Sequence, residues 1–257
     1  KPSLHLVFKE KNKKEIFENH VNSTTTSDKS LILFDTNEIE KLPGYNNGDW
    51  WIQDYSTMIP LSLINNLKNK KIIDLCSAPG GKAFQSLSAG ANVSLIEINK
   101  KRSAILNENL KRLNFNVEIE IADALNINHS QKYDYVIIDA PCSAVGTIRR
   151  NPEIFFKKEN KLLDNLIDLQ KKLLNKATEL VSENGIIIYM VCSFLKVETY
   201  DQVDNFLKKN NNFIVDPYPK KLDKNSLIDD NGFLNTIPKK IEKYNIDGFF
   251  SVKLKKN

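Results

Sequence analysis

Two cysteines, Cys142 and Cys192, stand in short segments that each follow a predicted buried strand. The first segment is 139–143 (DAPCS) and the second is 190–193 (MVCS). A single cysteine is more often a small buried apolar residue than a reactive group. Two thiols at the ends of neighbouring parallel strands, beside a predicted ligand loop, favour the opposite interpretation, because a thiolate there is a nucleophile that can bond to carbon.

A glycine-rich loop, 74–82 (DLCSAPGGK), follows the first strand of the predicted sheet. Gly80 and Gly81 let a ligand approach the backbone, and a helix that begins near Lys82 presents free N–H groups to a carboxylate or phosphate. The spacing matches neither the dinucleotide-binding pattern nor the P-loop. On its own, this loop is as compatible with an ordinary turn as with a ligand site.

Acidic residues close the next three predicted strands: Glu97, Asp123 and Asp139. One such acid is commonly only a helix cap. Three acids at one edge of a sheet are explained most simply by a common ligand that contains adenosine. Glu97 lies near the position from which a doubly wound domain binds a ribose diol.

The elements that must position these residues alternate between strands and helices. Helical periodicity covers 100–113 and 162–181, and Asn184-Gly185 is predicted to cap the second helix. This alternation predicts an α/β fold, a mostly parallel sheet with helices on both faces and its ligand beyond the carboxyl ends of the strands. The predicted strands are 72–75, 93–98, 117–121, 135–138 and 186–191, with 213–215 and 248–254 as late additions.

The residues before this pattern predict a smaller unit. Strand-like runs at 4–8 and 30–34 flank a Lys/Glu-rich helical stretch, and the turn-rich segment 42–48 predicts a joint. We therefore divide the chain into a small α+β element at 1–41 and a ligand-binding domain at 42–257.

Composition excludes several classes of protein. With 257 residues and 41% hydrophobic content the chain can bury a core, and a net charge of +5 permits a polyanionic partner without requiring one. Three cysteines and three histidines, all widely spaced, predict neither disulfides nor a metal site. The longest apolar run, 185–195, is about half the ~20 residues of a membrane helix, so we expect a cytoplasmic protein away from membranes, and a monomer.

Several segments together resemble one family, the Sun-type (Fmu) S-adenosylmethionine-dependent RNA cytosine-5 methyltransferases. The resemblance spans roughly 42–256 and implies a Rossmann-like class I methyltransferase fold with a seven-stranded sheet. The segments that carry it are 74–82 (DLCSAPGGK), 139–153 (DAPCSAVGTIRRNPE), 191–193 (VCS), 48–57 (GDWWIQDYST) and 247–256 (DGFFSVKLKK).

The resemblance assigns catalytic roles. It makes Cys192 the nucleophile that adds to carbon 6 of cytosine, and Cys142 the group that assists product release. Asp139 is expected to hydrogen-bond the base, and Lys82 to position the base and favour the thiolate. Such an adduct is needed because carbon 5 of cytosine is too electron-poor to attack a sulfonium methyl group directly.

The resemblance also implies an S-adenosylmethionine site in which the loop binds the methionine moiety, Glu97 the ribose and Asp123 the adenine. Arg102 matches a basic position near the cofactor, although it is equally compatible with a solvated helix residue. The expected cofactor-binding residues are Cys76, Ser77, Ala78, Pro79, Gly80, Gly81, Lys82, Glu97, Arg102, Asp123 and Asp139.

The expected substrate is structured RNA, and the small-subunit ribosomal RNA in particular, with the target cytosine unstacked. The alternatives are a transfer-RNA cytosine-5 methyltransferase and a non-catalytic RNA-binding assembly factor. The second is motivated by Val191, where the family usually has Thr, and by the altered segment 197–200. Trp50, Trp51 and Tyr55 could stack on bases or belong to the core. The basic residues that suit a phosphate backbone, or are merely solvated, are Arg149, Arg150, Lys157, Lys158, Lys253, Lys255 and Lys256.

Overall fold

The computed structural model describes residues 3–19, 21–34, 38–156, 160–220, 227–241 and 244–257. The N-terminal part folds as a small antiparallel sheet with one helix. Its elements are β1 (Leu4–Phe8), α1 (Lys11–Glu18), β2 (Ser23–Ser27), β3 (Ser30–Leu33) and β4 (Trp50–Ile52), and the strand order is β2-β3-β1-β4.

Helix α1 is attached to this sheet through aromatic contacts. Phe17 packs edge-on against Phe8 and Trp50, with ring centroids 5.3 and 6.1 Å apart. Strand β4 lies after the predicted boundary at residue 41, yet it pairs with β1. The small sheet therefore takes strands from both sides of that boundary, and the division into two domains stays a prediction.

A large mixed sheet dominates the rest of the chain. The elements there are α2 (Tyr55–Ser62), β5 (Lys71–Asp74), α3 (Gly81–Ser88), β6 (Asn92–Ile96), α4 (Lys100–Arg112), β7 (Ile119–Glu120), β8 (Tyr133–Asp139), α5 (Asn160–Leu180), β9 (Val181–Val191), α6 (Tyr200–Lys209), β10 (Phe213–Val215), β11 (Leu234–Thr236), β12 (Lys239–Ile241), β13 (Tyr244–Ile246) and β14 (Phe249–Lys256). The strands of the large sheet run in the order β10-β14-β9-β8-β5-β6-β7, and β11 pairs with the same β14. The five strands from β7 to β9 are parallel to one another, and β14 is antiparallel to β9. Strands β12 and β13 form a separate two-stranded sheet.

The central strands are apolar throughout because both faces of the sheet are covered. In β8, Val136 packs in the core cluster that contains Leu173 of α5, whereas its neighbour Ile137 packs in the cluster that contains Ile59 of α2. This is the alternation of side chains expected in a strand buried on both sides. The predicted α/β fold with helices on both faces is confirmed, and β11 adds an eighth strand beyond the seven that the family resemblance implied.

One predicted boundary was wrong. Asn184-Gly185 does not cap α5, because that helix ends at Leu180 and β9 begins at the next residue. The pair lies instead where the register of β9 against β8 shifts, and Asn184 has φ of 60°. A bulge in a strand uses the same left-handed backbone conformation as a helix C-cap, which explains the misassignment.

Within the described ranges, none of the helices is long and apolar enough to traverse a lipid bilayer.

Candidate active site

The two thiols predicted to react are neighbours in the structure. Strands β8 and β9 pair in parallel, with Asp139 opposite Met190, so the segments that follow them leave the same edge of the sheet. The sulfur atoms of Cys142 and Cys192 lie 3.2 Å apart, and both side chains are partly exposed. The structure thus brings together the two residues that the family resemblance assigns to successive steps.

Two glycines hold the backbone of Cys192 in place. The amide of Gly146 donates to the carbonyl oxygen of Cys192 at 3.0 Å, and the amide of Gly248 donates to the carbonyl oxygen of Gly146 at 2.8 Å. A Cβ atom on Gly146 would lie 2.0 Å from the Gly248 carbonyl oxygen and 2.9 Å from that of Cys192. Only glycine fits there. Both glycines lie inside segments quoted for the resemblance, but nothing local in the sequence assigns them this role.

The environment distinguishes the two thiols. The hydrogen bond with Cys142 lowers the pKa of Cys192, against the effect of burial and the charge of Asp139, and the ammonium of Lys82 lowers it further. The same hydrogen bond raises the pKa of Cys142 well above its ordinary value, and burial and the charge of Glu198 add to the effect. Cys192 is therefore the more acidic thiol of the pair, and the thiolate is the form of cysteine that attacks carbon.

Lys82 and Asp139 form an ion pair beside the thiols. Lys82 lies in the first turn of α3, and its Nζ is 2.6 Å from Oδ2 of Asp139 at the end of β8. The ammonium also lies over the ring of Phe249, 5.2 Å from its centroid. Lys82 and Asp139 thus offer a hydrogen-bond donor and an acceptor side by side. This arrangement suits a nucleobase that carries both kinds of group.

A cavity of about 540 Å³ adjoins this ion pair. Gly80 has φ of +118°, and a Cβ atom there would lie 2.1 Å from the ring of Phe84, so the loop requires glycine at this position. Burial, and then the charge of Asp139, raise the pKa of Asp74 from 3.8 to about 7. The walls of the cavity that come from the glycine-rich loop and its neighbours include Asp74, Cys76, Ser77, Gly81, Lys82 and Asp139.

The remaining predicted cofactor residues have partners within the protein. Glu97 is buried and accepts hydrogen bonds from the amides of Ala78 at 3.2 Å and Asn99 at 2.9 Å. It therefore holds the backbone of the glycine-rich loop in place. Arg102 donates to the carbonyl oxygen of Ala78 and lies 3.9 Å from Glu97. Asp123 accepts from the backbone of Leu125 at 3.0 Å, and it is not among the cavity walls. Their binding to a cofactor stays a prediction.

The segment 139–153, the reactive loop that carries Cys142, contains two arginines that pair with acids. Arg149 and Arg150 both bond to Asp247, which is 1% exposed, and Arg149 also reaches Asp54 at 3.2 Å. They tie the reactive loop to the segment before β14 and to the N-cap of α2. These two of the basic residues suggested for a phosphate backbone therefore have acidic partners within the protein, and their contact with a phosphate backbone stays a prediction. Lys253 pairs with Asp216 and Lys256 with Glu183, and Lys157 and Lys158 lie outside the described residues.

The tryptophans suggested for base stacking belong to the core. Trp50 is fully buried and donates from Nε1 to the carbonyl oxygen of Pro43, and Trp51 donates to Gln53 at 2.9 Å. Their rings are therefore not free to stack on an RNA base without a rearrangement of the core. Tyr55 is half-buried at the start of α2.

The strand order and the loop at the end of β5 define a class I methyltransferase domain. The chain belongs to the 16S rRNA methyltransferase RsmB/F family, whose model matches residues 61–255. This confirms the family expected from the motifs.

Individual relatives support the same assignment. The chain is 34% identical over 174 residues to ribosomal RNA small subunit methyltransferase B of Photorhabdus laumondii, covering 66% of this chain and 41% of that protein. It is 32% identical over 192 residues to the protein of that name from Shewanella oneidensis, covering 73% of this chain and 45% of that protein. The chain therefore spans less than half the length of these curated relatives.

A solved structure has the same fold. NSun6 from Pyrococcus horikoshii, solved with the S-adenosylmethionine analogue SFG, superposes with a TM-score of 0.82 over 100% of this chain and 91% of that one. The sequences are 16% identical, so this likeness concerns the fold alone.

Proposed function

We propose that this chain is the methyltransferase part of an enzyme that methylates carbon 5 of a cytosine in small-subunit ribosomal RNA. A covalent Cys192–cytosine adduct carries the reaction, and Cys142 helps to resolve it. The observation that carries the proposal is the 3.2 Å pair of sulfur atoms next to the Lys82–Asp139 ion pair. A cytoplasmic location is part of this proposal.

In the first step the thiolate of Cys192 adds to carbon 6 of the base. The carbon 5–carbon 6 double bond opens, and carbon 5 becomes the nucleophile. We expect Asp139 and Lys82, which lie side by side, to hydrogen-bond the polar edge of the base, and the ammonium of Lys82 to stabilise the electron density that moves onto the ring.

In the last step a proton leaves carbon 5, its bonding electrons restore the carbon 5–carbon 6 double bond, and the carbon 6–sulfur bond breaks to return the Cys192 thiolate. Once Cys192 is bound to carbon, it loses its negative charge and its hydrogen bond with Cys142. Both of these raise the pKa of Cys142 while Cys192 is free. Cys142 can then lose its own proton to water more readily and, as a thiolate, accept the proton from carbon 5, directly or through water.

The residues around the cavity fit S-adenosylmethionine. Gly80 and Gly81 are among the cavity walls, and the carboxylates of Asp74 and Asp139, which also line it, suit a ligand that carries positive charge. When bound, S-adenosylmethionine supplies a methyl group on a positively charged sulfur. The chain's own contribution is to orient the base, to hold Cys192 as the thiolate and to keep Cys142 beside it.

The test is to incubate the chain with S-adenosylmethionine and RNA that carries 5-fluorocytosine, which has no proton to release at carbon 5. We expect a protein–RNA adduct that survives denaturation, is lost in Cys192→Ala, and forms more readily on small-subunit ribosomal RNA fragments than on transfer RNA. Preference for transfer RNA would replace the substrate assignment. Tight RNA binding without any adduct would instead support a non-catalytic assembly factor.

A further inference from the structure

A fully buried carboxylate lies behind the Cys142 loop, and the mechanism above does not use it. Glu198 is 0% exposed and belongs to the short 3-10 turn Lys196–Glu198, after β9. Its Oε1 accepts from the amide of Ser143 at 2.8 Å, and its Oε2 accepts from the hydroxyl of Ser143. Both oxygens thus bind the residue that follows Cys142.

Further hydrogen bonds fix this carboxylate and the other side of Cys142. Gln170 of α5 donates from Nε2 to Glu198 at 3.0 Å and to the carbonyl oxygen of Pro141 at 3.0 Å. The hydroxyl of Tyr189 donates to the Glu198 carbonyl oxygen at 2.7 Å, which anchors the turn to β9. Pro141 and Ser143 flank Cys142, so buried polar groups hold the loop on both sides of the thiol.

We infer that Glu198 is a positioning residue that fixes the Cys142 thiol as the hydrogen-bond donor of the cysteine pair, and thereby makes Cys192 the nucleophile. A buried carboxylate with three hydrogen-bond donors is held rigidly, and leaving those donors unpaired would be costly. It also places a negative charge on the Cys142 side of the pair, whereas Lys82 places a positive charge on the Cys192 side.

The charged and titratable groups around the pair are consistent with this asymmetry. Glu198 and the phenol of Tyr189 lie near Cys142, and the charge of Glu198 raises the pKa of that thiol. On the other side, Lys82 lowers the pKa of Cys192 and Asp139 raises it. Removal of the Glu198 charge therefore weakens the preference for one thiol over the other.

The experiment measures which thiol reacts, without RNA. The full chain receives short pulses of iodoacetamide between pH 6 and pH 9, and mass spectrometry quantifies alkylation at each cysteine, with Cys76 as the slow internal reference because burial raises its pKa. In the unmodified chain we expect Cys192 to react first. In Glu198→Gln the ratio of Cys192 to Cys142 rates at pH 7.5 should fall about tenfold, the change that one pKa unit produces.

Three variants make the result specific. Glu183→Gln removes an exposed charge that pairs with Lys256 and should leave the ratio unchanged. Glu198→Asp keeps the charge but is too short to reach both Ser143 groups, so it should lower the ratio less than Gln does. Ser143→Ala removes the hydroxyl contacts with Glu198 and Ser193 but keeps the amide contact with Glu198. It should lower the ratio slightly, and it decides the matter if Glu198→Gln does not fold.

The inference rests on the proposed function, but the two fail differently. If Cys192 is not the faster thiol in the unmodified chain, the assignment of the nucleophile is wrong. If Cys192 is faster and a folded Glu198→Gln keeps the full ratio, only the role of Glu198 is overturned. In an RNA assay, Glu198→Gln should accumulate adduct as Cys142→Ala does, to a smaller extent, because product release depends on a correctly placed Cys142.

Discussion

The amide of Gly146 donates to the carbonyl oxygen of Cys192 at 3.0 Å, so the loop that carries Cys142 also fixes the backbone of Cys192. The contact is close because neither Gly146 nor Gly248, which bonds to it, has a side chain. The relative position of the two thiols therefore depends on a backbone contact among three segments that are distant in the sequence.

Gly146→Ala should separate these segments, because its Cβ atom would lie 2.0 Å from a backbone oxygen that cannot rotate away. We expect adduct formation to fall at least about tenfold and the free energy of unfolding to fall by about 1–3 kcal/mol, as for other overpacked sites. Gly90→Ala is the matched control. It places alanine at φ of +81° far from the thiols, so it should cost stability but leave adduct formation intact. Equal losses of adduct in both variants would contradict this account.

Cys142→Ala and Cys192→Ala should differ in whether they form a covalent adduct with RNA. Cys142→Ala lacks the proposed general base for the carbon 5 proton, so protein joined to ordinary RNA should accumulate in the presence of S-adenosylmethionine. Without Cys192 no such species should form, although binding of RNA persists. Denaturing gels resolve the adduct directly. Identical behaviour of the two variants would mean that the division of roles between the thiols is wrong.

Much of this arrangement could be predicted from the sequence because its signals are local. Ile72-Ile73 and the apolar run in β9 predict strands covered on both faces, and the thiols follow from their places at the strand ends. The pairing of Arg149 with Asp247, 98 residues later, depends on the register of β14 against β9, and no local pattern encodes that register. Strand β4 was missed because it directly follows the turn-rich segment 42–48, which predicted a joint between two units and not a strand that pairs across it.

Lys82→Met should shift the reactivity of Cys192 to higher pH. The ammonium of Lys82 lowers the pKa of that thiol and Asp139 raises it, so removal of Lys82 leaves the opposing charge without its partner. Alkylation of Cys192 as a function of pH measures the shift, which we expect to be on the order of one pH unit. Lys82→Arg keeps the positive charge and should shift the profile less. If the pH profile of Cys192 alkylation in Lys82→Met coincides with that of the unmodified chain, Lys82 does not contribute to the activation of Cys192.

Asp74→Asn should stabilise the protein in a pH-dependent manner. Burial raises the pKa of Asp74 from 3.8 to about 7, so its native contribution to stability is fully present below pH 3.8 and is lost as the pH rises through 7. Asparagine keeps the acceptor for the Cys76 amide and does not ionise. The Tm advantage of the variant should therefore be near zero at pH 4 and reach at least about 2 °C at pH 8, since 1 kcal/mol corresponds to about 2–4 °C in a chain of this size. Asp168→Asn, on the exposed face of α5, should show no such trend. An advantage that is the same at both pH values would contradict the raised pKa.

Asp247→Asn should destabilise the protein because Asp247 neutralises both arginines of the reactive loop. Arg149 is 17% exposed and its Nη1 atom is buried without a partner, so loss of the Asp247 carboxylate leaves this largely buried charge with Asp54 as its acidic partner among the described residues. Removal of one member of such a pair costs about 3–5 kcal/mol when the pair is fully buried, and we expect the lower end of that range here. Urea unfolding at pH 7 measures the loss. Asp230→Asn, which breaks the exposed pair with Lys220, should leave the midpoint unchanged. A midpoint for Asp247→Asn equal to that of the control would mean that these arginines are not held by Asp247 in solution and are free to contact RNA phosphates.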